Sequence, residues 1–242
     1  MNNQARIFDE IVERRRSIRI YDEHAEFDET AVVRSLERAT LAPNSSNLQL
    51  WEFYRVKTKS KKEELAKYCL GQKAATTANE LIVFVTRKDK WKANAKFVLE
   101  EAKKDFPERI GKQQKLIIDY YSKLIPILYG NDALDISGKL KKIASFGVGI
   151  FQPIAREVDA NDMRVVVHKS LALAAQTFML SMTSEGFDSC PMEGFDSKRV
   201  KAFLNLPEGA EIGMIVSVGL AKPEGLYGRR VRIPNNKIIH TI

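Results

Sequence analysis

The run Leu81-Ile82-Val83-Phe84-Val85 is too short for a buried helix and too unbroken for a strand with one face in water. It reads as a central strand covered on both faces, and such a strand needs helices packed on each side of its sheet. The chain offers them. Ile7, Phe8, Ile11 and Val12 recur at helical spacing within 5–16, as do Val32, Val33, Leu36 and Ala39 within 28–42. Asp28 is placed to cap the second of these helices and Pro43 to end it. A strand follows around Trp51–Lys57, then a helix over Lys61–Tyr68. Between Asp162 and Glu185, Val167, Leu171, Ala174, Ala175, Phe178, Met179 and Met182 repeat at three and four, and Gly186 is placed to terminate this core helix. A short helix over Asp196–Leu204 and a second apolar strand over Ile212–Gly219 complete the pattern. The expectation is one α+β domain over residues 1–242. Residues 91–154, broken by Pro107, Pro126 and Gly130-Asn131-Asp132, are a helical elaboration on it, and 222–242 form a Gly/Pro-rich tail.

With 44% hydrophobic and 29% charged residues, a chain of this length buries a core without staples. Cys69 and Cys190 lie too far apart in sequence for a disulfide framework or a zinc ribbon, which fits reduced thiols and a cytoplasmic location. No unbroken apolar run approaches the roughly 18–20 residues of a membrane span, and the start MNNQARIFDE lacks the features of a signal peptide. Membrane insertion and secretion are disfavoured. The net charge of +8 raises a nucleic-acid reading, but its distribution argues for something else. Within 87–142 the 14 Lys/Arg are interleaved with 8 Asp/Glu, the pattern of solvated helix faces. The clusters Arg14-Arg15-Arg16 with Arg19, and Arg229-Arg230 with Arg232, are short and nearly free of acids. Arginine forks onto phosphate oxygens, so a phosphate-bearing ligand, small or polymeric, is open.

Histidine chemistry has little to work with. His24, His168 and His240 are scattered, and HExxH, GxSxG, GxxxxGK[ST] and a strand-to-helix GxGxxG are all missing, so no metal site is expected. His168 on the core helix reads as structural, and Trp51 as core packing. What remains is a set of separated stretches: Arg15-Arg16-Ser17-Ile18-Arg19 with Tyr21; Ala42-Pro43-Asn44-Ser45-Ser46-Asn47-Leu48-Gln49-Leu50-Trp51; Pro191-Met192-Glu193-Gly194-Phe195-Asp196; and Arg230-Val231-Arg232-Ile233-Pro234. In this order and at these distances they resemble the nitroreductase family of FMN-dependent NAD(P)H oxidoreductases.

The resemblance covers roughly 1–86 and 160–235. It implies a central, mainly antiparallel sheet flanked by helices, a helical insertion at 91–154 acting as a lid, and an exchanged C-terminal arm at 222–242. It also implies FMN as cofactor, NADH or NADPH as co-substrate, and a homodimer whose FMN sites are shared between subunits. Arg15, Ser17, Arg230 and Arg232 match the family's phosphate-side positions, with Arg16 in the same stretch. Arg19 corresponds to a basic residue at the pyrimidine edge of the flavin, where a fixed cation stabilises the reduced anion. Gln72 lies where relatives often carry an amide for that edge, though the alignment slips by a residue, and an ordinary surface glutamine is the alternative. Glu193 and Gly194, in a stretch with Pro191 and Met192, would offer backbone N–H groups to flavin N5, and a glycine there lets backbone approach a ring closely. Pro43, Asn44, Ser45 and Asn47 match a loop that reaches the FMN of the other subunit. Leu50 departs from a common proline. The insertion offers Phe106, Tyr120, Tyr121, Tyr129, Phe146 and Phe151 as lid candidates without a motif to choose among them.

The implied activity is hydride transfer from NAD(P)H through flavin N5 to a small-molecule acceptor such as a nitroaromatic or quinone, in a ping-pong cycle with no catalytic side chain. Two rivals stand beside it: a flavoprotein of the same fold doing other chemistry, such as reductive dehalogenation or flavin breakdown, and a basic nucleic-acid-binding protein using the same arginines.

Overall fold

A computed structural model describes residues 2–130 and 136–242; the Asn131-Asp132 pair expected to interrupt the insertion lies outside the described residues. The sheet consists of β1 (Trp51–Val56), β2 (Glu80–Arg87), β3 (Asp188–Met192) and β4 (Ala210–Gly219), antiparallel throughout in the order β1-β2-β4-β3. The helices are α1 (Asn3–Arg14), α2 (Glu29–Thr40), α3 (Lys59–Tyr68), α4 (Lys73–Thr76), α5 (Trp91–Lys104), α6 (Lys112–Asp119), α7 (Ile125–Tyr129), α8 (Ile136–Val148), α9 (Ala160–Ser184) and α10 (Ser197–Phe203). A π turn, Tyr120–Leu124, joins α6 to α7.

The apolar run sits at the centre of this sheet and is buried on both sides. Leu81, Val83 and Val85 pack with Leu65, Ala66, Ala74, Ala75 and Val200 of α3, α4 and α10, whereas Ile82 and Phe84 pack with Ala31 and Val32 of α2 and Leu171, Ala175 and Phe178 of α9. The period of two along the strand therefore assigns alternate side chains to two separate helical layers. Helix α9 is long and apolar enough by composition to cross a membrane, yet its apolar stripe lies on the sheet.

Local signals place the helix ends. The Asp28 carboxylate accepts from Thr30 N–H, and Asp159 from Asp162 N–H, as N-caps do. Gly186 takes φ +92° just beyond α9. Helix α2 stops at Thr40 rather than at Pro43, because the residue before a proline is driven out of the helical region. Ser189–Met192, which lacks strand periodicity, is an edge strand, where Pro191 is tolerated because edge positions leave N–H groups unpaired. A third core cluster of Leu48, Leu50, Ile125, Tyr129, Met163 and Val167 seats the elaboration against α9 and the segment entering β1.

One charge pair crosses the sheet interior. Glu80 is 1% exposed and its carboxylate accepts from Arg55 Nη2 at 2.6 Å and from Nε at 3.0 Å. Removing the guanidinium strands a buried carboxylate, so Arg55→Met should lower the unfolding free energy by about 3–5 kcal/mol. Adding Glu80→Met should restore most of it. Urea denaturation of the single and double variants checks this, and equal losses in both would refute it.

Candidate functional site

The chain leaving α1 runs along the outer edge of β3. Ser17 bridges Ser189 in parallel, and Ile18 N–H donates to Ser189 O at 3.1 Å, so Arg15–Arg19 lie beside that strand. The C-terminal segment is drawn to the same place. Arg19 N–H donates to Gly225 O at 2.8 Å, and Arg16 Nη2 to Gly228 O at 2.9 Å. Arg230 Nη2 donates to the carbonyls of Val12 at 3.2 Å, Glu13 at 2.8 Å and Arg15 at 2.8 Å. These are carbonyls at the C-terminal end of α1, where helical partners run out and the dipole is negative, so Arg230 caps the helix while docking the tail on it. The Arg19 guanidinium lies 5.1 Å from the ring centre of Tyr227.

These cations have no carboxylate. Among the described residues, the side chains of Arg16, Arg19, Arg230 and Arg232 donate to backbone carbonyls, and none of them, nor Arg15, forms an ion pair. Partial burial, together with the guanidinium groups of Arg230, Arg232 and Arg16, depresses the Arg15 pKa below its ordinary value. The basic stretch of the elaboration behaves in the opposite way: Lys103 pairs with Glu100, Lys104 with Glu101, Lys123 with Asp119, and Arg87 with Glu52 and Asp89. A half-buried cluster of like charge is unfavourable alone and is relieved by a bound anion.

Past the end of β3, Glu193 and Gly194 are exposed. Gln72 is half-buried, and its Nε2 donates to Gly194 O at 2.7 Å and to Cys69 O at 3.0 Å. It is therefore a brace for the Gly194 backbone rather than a free surface glutamine. A Cβ on Gly194 would sit 3.3 Å from that same nitrogen. The Met192 side chain is buried in the core, which leaves its backbone to face the site. Arg15, Arg16, Ser17, Arg19, Pro191, Met192, Glu193, Gly194, Arg230 and Arg232 thus gather along one edge of the sheet, with Gln72 against its end.

The Pro43–Asn47 loop is elsewhere. It leads into β1, at the opposite edge of the sheet; with strands about 4.8 Å apart, β1 and β3 are separated by about 14 Å. No hydrogen bond or ion pair among the described residues joins the loop to the arginine cluster or to Glu193 and Gly194. Within the loop, exposure alternates: Pro43, Ser45 and Asn47 are exposed, whereas Asn44 and Ser46 are half-buried. Asn44 braces the loop, its Oδ1 accepting from Gln49 N–H at 2.8 Å and its Nδ2 donating to Ala42 O at 3.3 Å. Ser45 N–H donates to Ser170 Oγ of α9 at 3.1 Å. The sequence reading did not single out Ser46 or Tyr227; their roles come from contacts between distant segments, for which no local motif exists. His168 is half-buried, its Nε2 3.3 Å from Glu211 Oε2 of β4, and Trp51 stacks on Phe53 at 6.2 Å.

Residues 12–220 match the model of the Nitroreductase family. The chain belongs to the nitroreductase family. It is 25% identical over 227 residues to YdgI of Bacillus subtilis (strain 168), an NAD(P)H nitroreductase by name, covering 93% of this chain and 94% of that one. Among solved structures it is similar to ydfN of Bacillus subtilis, also a nitroreductase by name, with TM-score 0.74, 23% identity, and coverage of 98% of this chain and 100% of the other. A protein of Exiguobacterium sibiricum 255-15, solved in complex with FMN, gives TM-score 0.67 and 22% identity over 97% of each chain. The α+β architecture of a four-stranded antiparallel sheet between helical layers is the nitroreductase fold.

The uncompensated arginines of this family member generate a prediction for the ligand-free protein. Inorganic phosphate at ten times its dissociation constant should stabilise it by about 1.4 kcal/mol, read as a rise in thermal midpoint at constant ionic strength. Arg15→Ala should abolish that rise.

Proposed function

We propose that this chain is an FMN-dependent oxidoreductase that takes reducing equivalents from NADH or NADPH and delivers them to a nitroaromatic, quinone or similar small acceptor. The observation that carries this reading is the carboxylate-free arginine cluster beside the end of β3. A flavin mononucleotide carries a dianionic phosphate at one end and a flat ring at the other, and the residues present fit both. Arg15, Arg232 and Ser17 hold the phosphate, with Arg16 beside them. Arg230 joins through Nη1 and Nε, because its Nη2 is engaged by α1. Arg19 places a fixed cation at the pyrimidine edge. The backbone of Pro191–Gly194, braced by Gln72, faces the reactive part of the ring. The FMN held by the Exiguobacterium protein and the NAD(P)H in the name of YdgI support the same reading.

Bound FMN would supply a two-electron carrier that accepts hydride from NAD(P)H and yields it to the acceptor in alternate half-reactions at N5. The protein's side chains have no proton to move in that transfer. Their work is neutralising the phosphate, stabilising negative charge at the pyrimidine through Arg19, and fixing the ring against a backbone that has no Cβ at Gly194.

The reading extends to assembly: a homodimer with two shared sites, each chain one FMN-binding domain over 1–242 with 91–154 as lid and 222–242 as exchanged arm. The accessible surface is 15104 Å², against about 11,000 Å² for a compact monomer of this mass. An excess of that size suits a chain that buries an extensive interface against a second copy. Residues 231–242 are exposed, Ile238 at 57% and Ile239 at 65%, and they make only local turns. The outer edge of β1 pairs with no other strand among the described residues, whereas β3 is flanked by Ser17. The arm of one chain therefore adds to β1 of the other. Pro43, Ser45 and Asn47, about 14 Å from their own chain's β3, reach the partner's cofactor across the two-fold axis. Two buried free thiols, Cys69 and Cys190, fit a cytoplasmic setting.

Titration of the ligand-free protein with FMN and with riboflavin tests the phosphate assignment. Arg232→Ala should weaken FMN by about one to two decades and leave riboflavin unchanged. Equal weakening of both refutes it. For the dimer, deleting 236–242 should loosen self-association and FMN binding together, followed by sedimentation and flavin fluorescence. A full-length protein that sediments as a monomer while holding FMN tightly would sink the shared site.

A further inference from the structure

The Pro43–Asn47 loop holds a shape that its residues do not favour. Ser46 at φ 57°, Asn47 at φ 52° and Gln49 at φ 49° are all left-handed without being glycine. Ser46 and Gln49 each cost on the order of 1–2 kcal/mol relative to an ordinary backbone, and Asn47 less because asparagine tolerates this region, so the turn relaxes unless other contacts hold it. Asn44 and Ser170 of α9 supply part of that hold, and the helical elaboration supplies the rest, with Asn94 Nδ2 of α5 donating to Leu48 O at 2.7 Å. Tyr120 OH lies 2.8 Å from Ser46 Oγ, Tyr121 OH donates to Ser46 O at 3.0 Å, and Tyr129 OH points at Ser45 Oγ from 3.5 Å.

These contacts come from an unusual piece of helix. Tyr120 and Tyr121 open the π turn, and their rings meet edge to face at 5.1 Å. In a regular α-helix neighbouring side chains diverge by 100°; the wider π winding brings two consecutive phenols to one serine, and π turns of this kind concentrate at functional positions. Tyr129 is 3% exposed and Tyr120 and Tyr121 are half-buried, all packed on the cluster that contains Leu48, the residue after the loop. Burial pushes the phenols of Tyr121 and Tyr129 up, which keeps them protonated as donors across the working pH range. The bonds turn Ser46 inward, and Pro43, Ser45 and Asn47 are left facing out.

We propose that Tyr120 and Tyr121, supported by Tyr129, are positioning residues: hydroxyl groups on the helical elaboration lock the strained Pro43–Asn47 loop into the outward-facing form that binds the partner's cofactor. This rests on the shared-site reading above. The cofactor affinity of one subunit is then set partly by phenols of the other that never touch the ligand. A site whose competent conformation is less populated binds more weakly by that same fraction.

The test uses the full-length protein with Tyr120→Phe/Tyr121→Phe, which keeps both rings and removes both hydroxyls. Amide hydrogen exchange over 45–49 in the ligand-free variant should accelerate about tenfold with the global thermal midpoint preserved, and FMN and riboflavin should both weaken about tenfold, because the phosphate arginines are untouched. Tyr120→Phe alone, measured with and without Ser46→Ala, guards against a folding defect. Its effect on loop exchange should vanish once the Ser46 hydroxyl is gone, as a direct bond requires. Unchanged loop exchange in the double variant, or an effect of Tyr120→Phe that persists alongside Ser46→Ala, would overturn the proposal. Wild-type protein that binds neither flavin would instead overturn the cofactor reading, while the exchange measurement still decides whether the phenols hold the loop.

Discussion

Everything in this structure depends on β2 being buried on both faces. Because Leu81, Val83 and Val85 face one helical layer and Ile82 and Phe84 the other, the sheet cannot exist without both layers. That requirement fixes the positions of the elements that carry chemistry. Helix α9, held on one face, directs the chain back into β3; α3 and α4, held on the other, bring Gln72 to the end of that strand. A rigid edge results, and the proposed flat cofactor would be placed against it by backbone groups rather than by mobile side chains.

Charge is arranged by a second constraint, the pairing of many basic side chains with nearby carboxylates. Lys103, Lys104 and Lys123 of the elaboration find carboxylates one turn away, and Arg34 and Arg38 of α2 converge on Glu185, whose carboxyl they hold down at about 2. The arginines along β3 have only carbonyls and one another. Stability does not require such a cluster, and self-repulsion opposes it. The proposed phosphate would relieve that repulsion, and the α1 carbonyls that Arg230 caps compensate it locally.

The loop before β1 shows how strain is distributed. Its exposed residues are presented by bonds beneath them: Asn44 to Gln49, Ser46 to the tyrosines of the elaboration, and the Ser45 backbone N–H to α9. The exposed tail and the open edge of β1 are the features on which the proposed pairing with a second copy rests.

By itself, the sequence determined the doubly covered strand, the cap at Asp28, the long core helix and the likeness of four separated stretches to one family, three of which the fold brings to one edge of the sheet. These are properties of local period, cap chemistry and residue type, which act within a few residues. It left Ser189–Met192 unassigned, because an edge strand containing proline has no periodic signature. It grouped Asn44 with the outward residues, although its amide faces inward, and it offered the elaboration's aromatic residues without choosing among them. Tertiary structure decided those matters. Which carbonyls Arg230 caps and which phenols reach Ser46 depend on contacts between segments that are 74 or more residues apart, or 215 or more in the case of Arg230, where only the closed fold supplies the partner.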